Sequence, residues 1–353
     1  MKFVRLIVII TVVFGLVIAQ KTDQHQLSNI RLFEATRIRI QPEFSELGEP
    51  YKGFFDKTGS RLVLVNAPNI FVYDVNQNKV ISHWHNSEIF DSSMTSDGQL
   101  FLNTTQSRPE VEIRMVSNGQ KIKSYSYESE KPYTTMVLTN PNGQSYAIVV
   151  LGGPIVIYDL HTGHILRKIP YKSLSAAWSP DGKTLAFGSG FTETSRVYLY
   201  DVARGTTSKP LLIPGYTEIS HIDSLVFSPD GTHLAVQNVD DRLTVFDLSK
   251  HKPVFTRITD PRFMDLNFTS DGRFLLAASR PEADLPKNTG AIYALELTRG
   301  SIVAQFRFPG GDTTQKAGTG FSVSPEGRSF FVVNSLYQTK GSLSDAITLA
   351  SSR

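Results

Sequence analysis

Residues 224–259 read SLVFSPDGTHLAVQNVDDRLTVFDLSKHKPVFTRIT and contain four short runs of β-branched and aromatic residues separated by turn sequences. Apolar and polar side chains alternate within the runs, which predicts β-strands. The predicted strands are Ser224–Phe227, Thr232–Asn238, Arg242–Asp247 and Val254–Thr259. The first two are joined by Ser-Pro-Asp-Gly, in which Pro fixes φ and Gly accepts a positive φ. Four antiparallel strands form one sheet, which needs neighbouring sheets of its own kind to bury both faces.

The turn that joins the first two strands recurs along the chain. Its complete and degenerate copies place glycines at positions 59, 98, 143, 182, 231, 272 and 327. The third strand recurs as well, and four copies end in an aromatic residue followed by Asp, at 73–74, 158–159, 200–201 and 246–247. Seven copies of a four-stranded unit predict an all-β chain folded as a single β-propeller of four-stranded antiparallel blades, with seven blades favoured over six or eight. The first six predicted blades cover residues 53–84, 91–127, 134–170, 174–213, 224–259 and 264–308.

These repeats resemble those of the WD40-like β-propeller superfamily, over nearly the whole chain after its N-terminal segment. The copy over Trp178–Gly205, WSPDGKTLAFGSG followed by VYLYDVARG, is the most similar to a WD40 repeat. The repeats are degenerate: the Trp-Asp pair of that family is Tyr-Asp or Phe-Asp here, and the Gly-His pair before the first strand is missing. In the family, that His shares a buried hydrogen-bond network with a turn Asp, to which Asp240 or Asp241 corresponds, and with the strand Trp. The resemblance implies the propeller fold and leaves the activity open.

The N-terminal segment Met1–Ala19 has the features of a secretory signal peptide. Lys2 and Arg5 form a basic start, Leu6–Ile18 is apolar, and small residues precede Gln20. The apolar run is shorter than the ~20 residues that a membrane-spanning helix prefers. A cleaved signal is therefore favoured over an uncleaved membrane anchor, which predicts an exported protein of the periplasm or the extracellular space. The polar residues 20–28 predict a flexible lead-in.

The composition excludes several classes of site. The chain has no Cys, which rules out disulfides, thiol catalysis, Cys-based metal centres and a lipid-anchored lipoprotein. Its formal net charge is +3 and would fall by two without Lys2 and Arg5, so nucleic-acid binding and electrostatic membrane attachment lose their main support. We therefore expect no nucleic-acid partner, no stable membrane insertion after signal cleavage, and a monomer.

The propeller is predicted to occupy residues 29–353 and to be closed by its own N-terminal strand. Asn29–Ile40 alternates like a strand but precedes the first turn motif. The last blade contains the predicted strands Gly320–Val323, Ser329–Asn334 and Asp345–Ala350 and needs a fourth. Pairing the early strand with this blade would join the two chain ends and remove two open sheet edges.

The leading functional hypothesis is a non-catalytic scaffold that binds a protein or peptide. In antiparallel blades, the turns between second and third strands and the links between blades share one face, and the long insertions of this chain fall there, with shorter ones at His83–Glu88 and Gln106–Glu110. Long loops on a rigid scaffold are common binding sites. The predicted binding residues are Arg280, Glu282, Asp284, Lys287, Asp312, Lys316, Tyr216 and Glu218.

The alternative hypothesis is a hydrolase or lactonase-like propeller enzyme with a metal in its central channel. Its acidic candidates are Asp91, Asp223 and Asp265, which start or flank inner strands. His83 and His85, two apart on a strand, form a further pair to test as metal ligands, but a packed or hydrogen-bonded pair near a blade end is favoured. No motif of a known hydrolase is present, so we expect neither catalytic residues nor a cofactor or bound metal. A third option is an envelope-assembly component that resembles the propeller of the Tol system.

Overall fold

The structure, a computed structural model, describes residues 30–38, 51–129, 134–150, 153–189, 195–215, 221–259, 263–279, 289–309, 320–332 and 335–352. These residues form strands β1 to β29 and one helix, and the strands make seven antiparallel sheets. The first strands of most neighbouring sheets contact one another, so the sheets are blades around a common axis. The predicted seven-bladed propeller is confirmed. Within the ranges just given, no helix has the length and apolar character needed to cross a membrane.

Blades 1 to 3 each contain four consecutive strands, ordered from the axis outwards. Blade 1 consists of β2 (Lys52–Phe55), β3 (Arg61–Asn66), β4 (Asn69–Asp74) and β5 (Lys79–His85). Blade 2 consists of β6 (Ile89–Met94), β7 (Leu100–Thr105), β8 (Glu110–Met115) and β9 (Lys121–Ser126). Blade 3 consists of β10 (Thr134–Thr139), β11 (Ser145–Val150), β12 (Ile155–Asp159) and β13 (Ile165–Ile169).

Blades 4 to 6 follow the same order, except that the outer strand of blade 4 is divided in two. Blade 4 consists of β14 (Ala176–Trp178), β15 (Thr184–Gly188), β16 (Arg196–Asp201), β17 (Thr206–Thr207) and β18 (Leu211–Leu212). Blade 5 consists of β19 (Ile222–Phe227), β20 (His233–Asn238), β21 (Arg242–Asp247) and β22 (Lys252–Ile258). Blade 6 consists of β23 (Phe263–Phe268), β24 (Phe274–Ser279), β25 (Thr289–Glu296) and β26 (Ile302–Pro309).

Blade 7 combines segments from both ends of the chain. Its strands are β27 (Ser322–Val323), β28 (Ser329–Val332), β29 (Ser335–Gln338) and, outermost, β1 (Thr36–Ile38). β1 lies within the segment expected to close the ring and pairs antiparallel with β29. The residues before β1 also join blade 6, because Leu32 pairs in parallel with Gln305 and the Phe33 N–H donates to the Gln305 carbonyl at 2.9 Å.

The predicted strand over Asp345–Ala350 is wrong, because this segment lies in helix α1 (Leu343–Ser352). Ser342 caps the helix, since its Oγ accepts the Asp345 N–H at 3.1 Å. Leu343, Ile347 and Ala350 are spaced four and three residues apart, as one face of a helix requires. All three are buried in the hydrophobic cluster of blades 6 and 7. The helix therefore covers the outside of the junction that the chain ends close.

The hydrophobic core is divided among the interfaces between blades. Each pair of neighbouring blades contributes buried residues to a cluster of its own. The cluster that closes the ring joins Phe331 and Leu336 of blade 7 to Leu62 and Phe71 of blade 1. Because every blade packs against neighbours on both faces, its second and third strands are largely apolar in their central residues, as in β3, β4, β11 and β12.

The repeated Asp-Gly turns have one common geometry. The seven glycines at positions 59, 98, 143, 182, 231, 272 and 327 have φ between 68° and 72°. In blade 4, Ser179 Oγ donates to Asp181 Oδ1 at 2.6 Å and accepts the Thr184 N–H at 2.9 Å. In blade 5, Ser228 binds Asp230 and His233 in the same way, at 2.5 and 2.9 Å. The hydroxyl and the carboxylate thus fix the turn between first and second strands.

In three blades, a second glycine packs against an aromatic ring of the neighbouring blade. Gly119, Gly163 and Gly300 lie between third and fourth strands with φ of 70° to 71°. A Cβ at any of them would lie under 3.0 Å from an aromatic side chain of the preceding blade. The three pairs, here called ring-on-glycine contacts, are Trp84–Gly119, Tyr125–Gly163 and Phe255–Gly300. Only a glycine leaves room for these rings.

Candidate functional site

The face that receives the second-to-third turns and the blade links is named the loop face. The eight predicted binding residues, Arg280, Glu282, Asp284, Lys287, Asp312, Lys316, Tyr216 and Glu218, all lie outside the described residues. Their role stays a prediction. The loop face of blades 1 and 2, by contrast, is described without a gap from residue 51 to residue 129, and the candidate site is built from that part.

The acidic candidates for a channel metal make separate contacts. Asp91 Oδ2 accepts the Val137 N–H of blade 3 at 2.7 Å. Asp265 of blade 6 accepts the Phe321 N–H of blade 7 at 3.4 Å. Asp223 Oδ1 lies 3.2 Å from His221 Nε2. Two of the three carboxylates therefore connect neighbouring inner strands, and the described residues contain no group of three His, Cys, Asp or Glu side chains suited to a metal ion.

His83, the other metal candidate, belongs to the packing of blade 1. Its ring stacks on Phe71 with centroids 4.6 Å apart, and its Nε2 lies 3.2 Å from Asn69 Oδ1. Trp84, between the two histidines, points inwards and donates from Nε1 to the Val116 carbonyl of blade 2. This arrangement holds an outer strand against its neighbours.

A cluster of aromatic and charged residues, named the inner-rim cluster, lies where β2 and β6 begin. It consists of Tyr51, Lys52, Phe90 and Asp91. Lys52 Nζ donates to Asp91 Oδ1 at 2.8 Å and to the Ser92 carbonyl at 2.6 Å, which joins blade 1 to blade 2. The same ammonium lies 5.1 Å from the centre of the Phe54 ring. Burial, helped by the Asp91 charge, raises the pKa of Tyr51 to about 12, so this phenol keeps its proton and can donate a hydrogen bond.

Phe90 is the exposed member of the cluster. The register of β6 against β7 shifts between Ile89 and Ser92, and the extra residues place Phe90 outside the regular ladder. Its side chain is 44% exposed, although large aromatic residues are normally buried. Exposed aromatic rings of this kind are common among the residues that dominate protein interfaces.

The loop between β7 and β8 borders Phe90 and is held by hydrogen bonds. Gln106 Nε2 donates to the Ile89 carbonyl at 2.9 Å, and Ser107 Oγ donates to Glu88 Oε2 at 2.6 Å. Arg108 is 66% exposed and lies 3.4 Å from Glu110. The loop thus presents an exposed guanidinium, and its neighbouring residues are held to Ile89 and Glu88.

A buried ion cluster supports this loop face from within blade 2. Glu112 Oε2 accepts from Arg114 Nη2 at 2.7 Å and from Asn86 Nδ2 at 3.2 Å. Lys121 Nζ lies 3.3 Å from the other carboxylate oxygen. Burial by itself would raise the pKa of Glu112, but Arg114 and Lys121 outweigh it and hold the pKa below its usual 4.5. Glu112 therefore remains ionised and fixes Asn86, which begins the link between blades 1 and 2.

The sequence analysis missed Phe90, although it named Asp91 and the segments His83–Glu88 and Gln106–Glu110 beside it. The one available signal was an aromatic residue directly before Asp91 at the start of an inner strand. In a regular strand, successive side chains point to opposite faces. This alternation in the sequence does not reveal where the register shifts. The shift that exposes Phe90 depends on pairing with β7 and appears only in the folded sheet.

Comparison with known proteins supports the repeat architecture. No family model matches the chain. It is 25% identical over 166 residues to a WD repeat-containing protein, SL1-17, of Schistosoma mansoni, covering 46% of this chain and 53% of that protein. It is 26% identical over 163 residues to THO complex subunit 3 of Arabidopsis thaliana, covering 44% and 49%. The chain thus spans about half the length of the curated relatives it matches.

A solved structure shows the same fold. The crystal structure of the Myceliophteria thermophila Cps50 (Swd1) β-propeller domain superposes with a TM-score of 0.66 at 13% identity, covering 87% of this chain and all of that one. Together with the WD-repeat relatives, this confirms the resemblance to WD40-like propellers. The similarity concerns the fold and the repeat, and the relatives suggest a protein-interaction scaffold.

Proposed function

We propose that this propeller is an exported, non-catalytic scaffold that binds a protein or peptide partner through its loop face. The observation that carries the proposal is Phe90, a large aromatic side chain that is 44% exposed on a rigid inner strand. Aromatic and Arg side chains contribute most of the binding energy in many interfaces. Arg108, on the neighbouring loop, supplies the second residue of this kind. The WD-repeat relatives are consistent with a role in protein interaction.

The inner-rim cluster is suited to binding because its charged groups are already paired. Lys52 and Asp91 satisfy each other across blades, so a partner need not desolvate an isolated charge there. Backbone and side-chain hydrogen bonds hold the adjoining loop in place. A partner would therefore meet a preformed surface and lose little free energy in ordering it.

The test compares two variants of blade 2, each of which replaces an apolar side chain of nearly the same exposure. Phe90→Ser removes the proposed anchor, and Ile122→Ser removes an apolar side chain on the outer strand that is 45% exposed. Affinity capture from a native envelope extract should recover partners with the wild type and Ile122→Ser, but not with Phe90→Ser. Each candidate is then purified and titrated. Loss of a hot-spot ring is expected to weaken binding by about 2 kcal/mol or more, roughly 30-fold. Equal affinity of both variants would refute the role of Phe90.

The insertion between β24 and β25 is tested with a further variant in the same affinity capture. In this variant, Gly and Ser replace Arg280, Glu282, Asp284 and Lys287. If the insertion between β24 and β25 belongs to the binding surface, partners lost with Phe90→Ser should also be lost here. Retention of the full set would confine the binding surface to blades 1 and 2.

Export is tested by separating cell fractions and sequencing the N-terminus of the recovered protein. An N-terminus at Gln20 in the periplasm or the medium is expected from cleavage after Ala19. A protein that starts at Met1 and remains with the membrane would support the anchored alternative.

A further inference from the structure

The outer edge of the disc differs in composition from its two faces. The outermost strand of each blade, namely β5, β9, β13, β17 with β18, β22, β26 and β1, contains Lys or Arg in six blades and no Asp or Glu in any of them. The whole chain, in contrast, has 36 basic and 33 acidic residues. The chain as a whole is therefore close to neutral, while the outermost strands of its blades are basic.

The same edge holds most of the exposed apolar residues. Among the described residues, nine large hydrophobic side chains are strongly exposed, and all but Phe90 lie on outer strands, on α1 or on the segment before β1. Lysine alone would protect edge strands from pairing with another chain, but that purpose requires no exposed leucine or isoleucine. Cations next to exposed apolar side chains are instead the composition of surfaces that lie on membranes.

One part of the edge combines these features in a groove. Helix α1, the segment before β1 and β26 enclose a cavity of about 650 Å³. Leu32 and Leu349 line it and are 53% and 56% exposed. Arg307 and Lys340 line it as well. We name these four residues and the cavity the strap groove.

The groove lining contains two basic and two acidic residues, and the excess of positive charge comes from the residues around it. Asp345 lies 3.6 Å from Arg273, outside the groove, and Arg273 also lies 3.7 Å from Asp271. Glu34 lines the groove, and the exposed Arg31 and Arg37 flank it on the same segment. The cations thus outnumber the acids in this part of the edge.

The chain also enters the disc at this place. Ile30 is the first described residue, and its carbonyl accepts from Gln305 Nε2 of β26 at 3.3 Å. Residues 1–29 therefore continue from the outer edge of blade 6. They include the apolar run Leu6–Ile18 with Lys2 and Arg5. In the uncleaved chain, a membrane that receives this run is tethered to the strap groove through residues 19–29.

We propose that the strap groove rests on an anionic lipid surface. Leu32 and Leu349 enter the headgroup region, and Arg307 and Lys340 contact lipid phosphates. The disc then stands with its edge on the membrane, which leaves the loop face accessible to a partner. This proposal goes beyond the scaffold function and does not depend on it.

The test uses the full chain and phosphatidylcholine vesicles with or without phosphatidylserine, at low and high salt. Arg307→Gln/Lys340→Gln should weaken binding to the anionic vesicles about 30-fold, since each cation near the surface contributes about 1 kcal/mol. Leu32→Ser/Leu349→Ser should weaken it at least about tenfold through lost apolar contact. The leucine variant distinguishes lipid from soluble polyanions, which need no apolar insertion.

Matched controls come from other blades. Lys79→Gln/Lys252→Gln removes two outer-strand cations of blades 1 and 5, and Ile122→Ser/Ile165→Ser removes two side chains that are each 45% exposed in blades 2 and 3. Both controls should bind like the wild type, and thermal melts should show that all four variants remain folded.

Three results would overturn the proposal. Equal vesicle binding by the strap variants and the wild type would assign any binding to residues 1–29. Equal losses of vesicle binding in the strap variants and the controls would indicate that the whole basic edge binds lipid, without a distinct site. A loss with the cation variant alone, matched by a loss of binding to a nucleic acid, would indicate a general anion surface.

Discussion

The ring-on-glycine contacts lead to a quantitative prediction about how blades are held together. Gly119 and Gly143 both have φ of 70°, but their surroundings differ. A Cβ on Gly143 would meet nothing within 4 Å, whereas a Cβ on Gly119 would lie 2.8 Å from Trp84 Cβ and closer to its ring. Gly143→Ala therefore measures only the stability lost by placing an Ala at positive φ. Gly119→Ala adds the stability lost by displacing Trp84.

The backbone term is the same for both variants. An L-residue in the left-handed region costs about 1–2 kcal/mol, partly offset by the lower entropy of the unfolded chain, which leaves about 1 kcal/mol. Gly119→Ala adds overpacking of about 1–3 kcal/mol. It also weakens the bond from Trp84 Nε1 to the Val116 carbonyl, worth about 1 kcal/mol. We expect losses of about 1 kcal/mol for Gly143→Ala and about 3–5 kcal/mol for Gly119→Ala.

Urea unfolding followed by tryptophan fluorescence can measure both losses. The chain has two Trp residues, so a Trp178→Phe background leaves Trp84 as the sole reporter. Its emission should change in Gly119→Ala and stay constant in Gly143→Ala. Adding Trp84→Leu to Gly119→Ala should reduce the loss to that of Gly143→Ala in a double-mutant cycle read by circular dichroism. Equal losses for the two Ala variants would refute the assignment.

Three further predictions concern the ion cluster and the turns. Glu112→Gln should lower the free energy of unfolding by about 2 kcal/mol at neutral pH, because Arg114 loses its buried partner. Since the pKa of Glu112 is lowered below 4.5, wild type should lose this stabilisation as pH falls through that pKa, and urea titrations should show the difference shrinking. His251→Gly should raise stability by about 0.5–1 kcal/mol, because His251 has φ of 56°; a lower melting temperature would contradict this. Ser179→Ala should lower the free energy of unfolding by about 1–2 kcal/mol, because the hydroxyl that binds Asp181 in the turn is lost. Ser179→Thr keeps a hydroxyl and should retain the wild-type stability in the same thermal melt.

The propeller could be predicted because its signal is repeated. A single Asp-Gly turn is common, but seven turns in sequence order, followed by aromatic-Asp strand ends, point to one unit used seven times. The structure assigns each of these glycines the same φ, so the recurring letters reflect one recurring backbone requirement. β21 begins and ends at the predicted residues, Arg242 and Asp247.

The errors arise where local patterns are ambiguous. Asp345–Ala350 alternates enough to suggest a strand, yet Ser342 followed three residues later by Asp345 is a helix-start pattern. Leu343, Ile347 and Ala350 then gave the helical spacing. The ring-on-glycine contacts could not be predicted, because Trp84 and Gly119 are brought together only by the docking of two blades.

The chemistry that made the fold predictable also bears on why we propose the loop face, and not the opposite face, as the binding surface. In the first-to-second turns of blades 2, 4, 5 and 6, a Ser or Thr hydroxyl donates to the Asp of the same turn, as Ser228 does to Asp230 at 2.5 Å. A partner on that face would compete with bonds that define the turn. On the loop face, Phe90 makes no such bond, and its removal leaves the Lys52–Asp91 pair intact. Residues there can change without altering the repeat, so specificity can accumulate on that face.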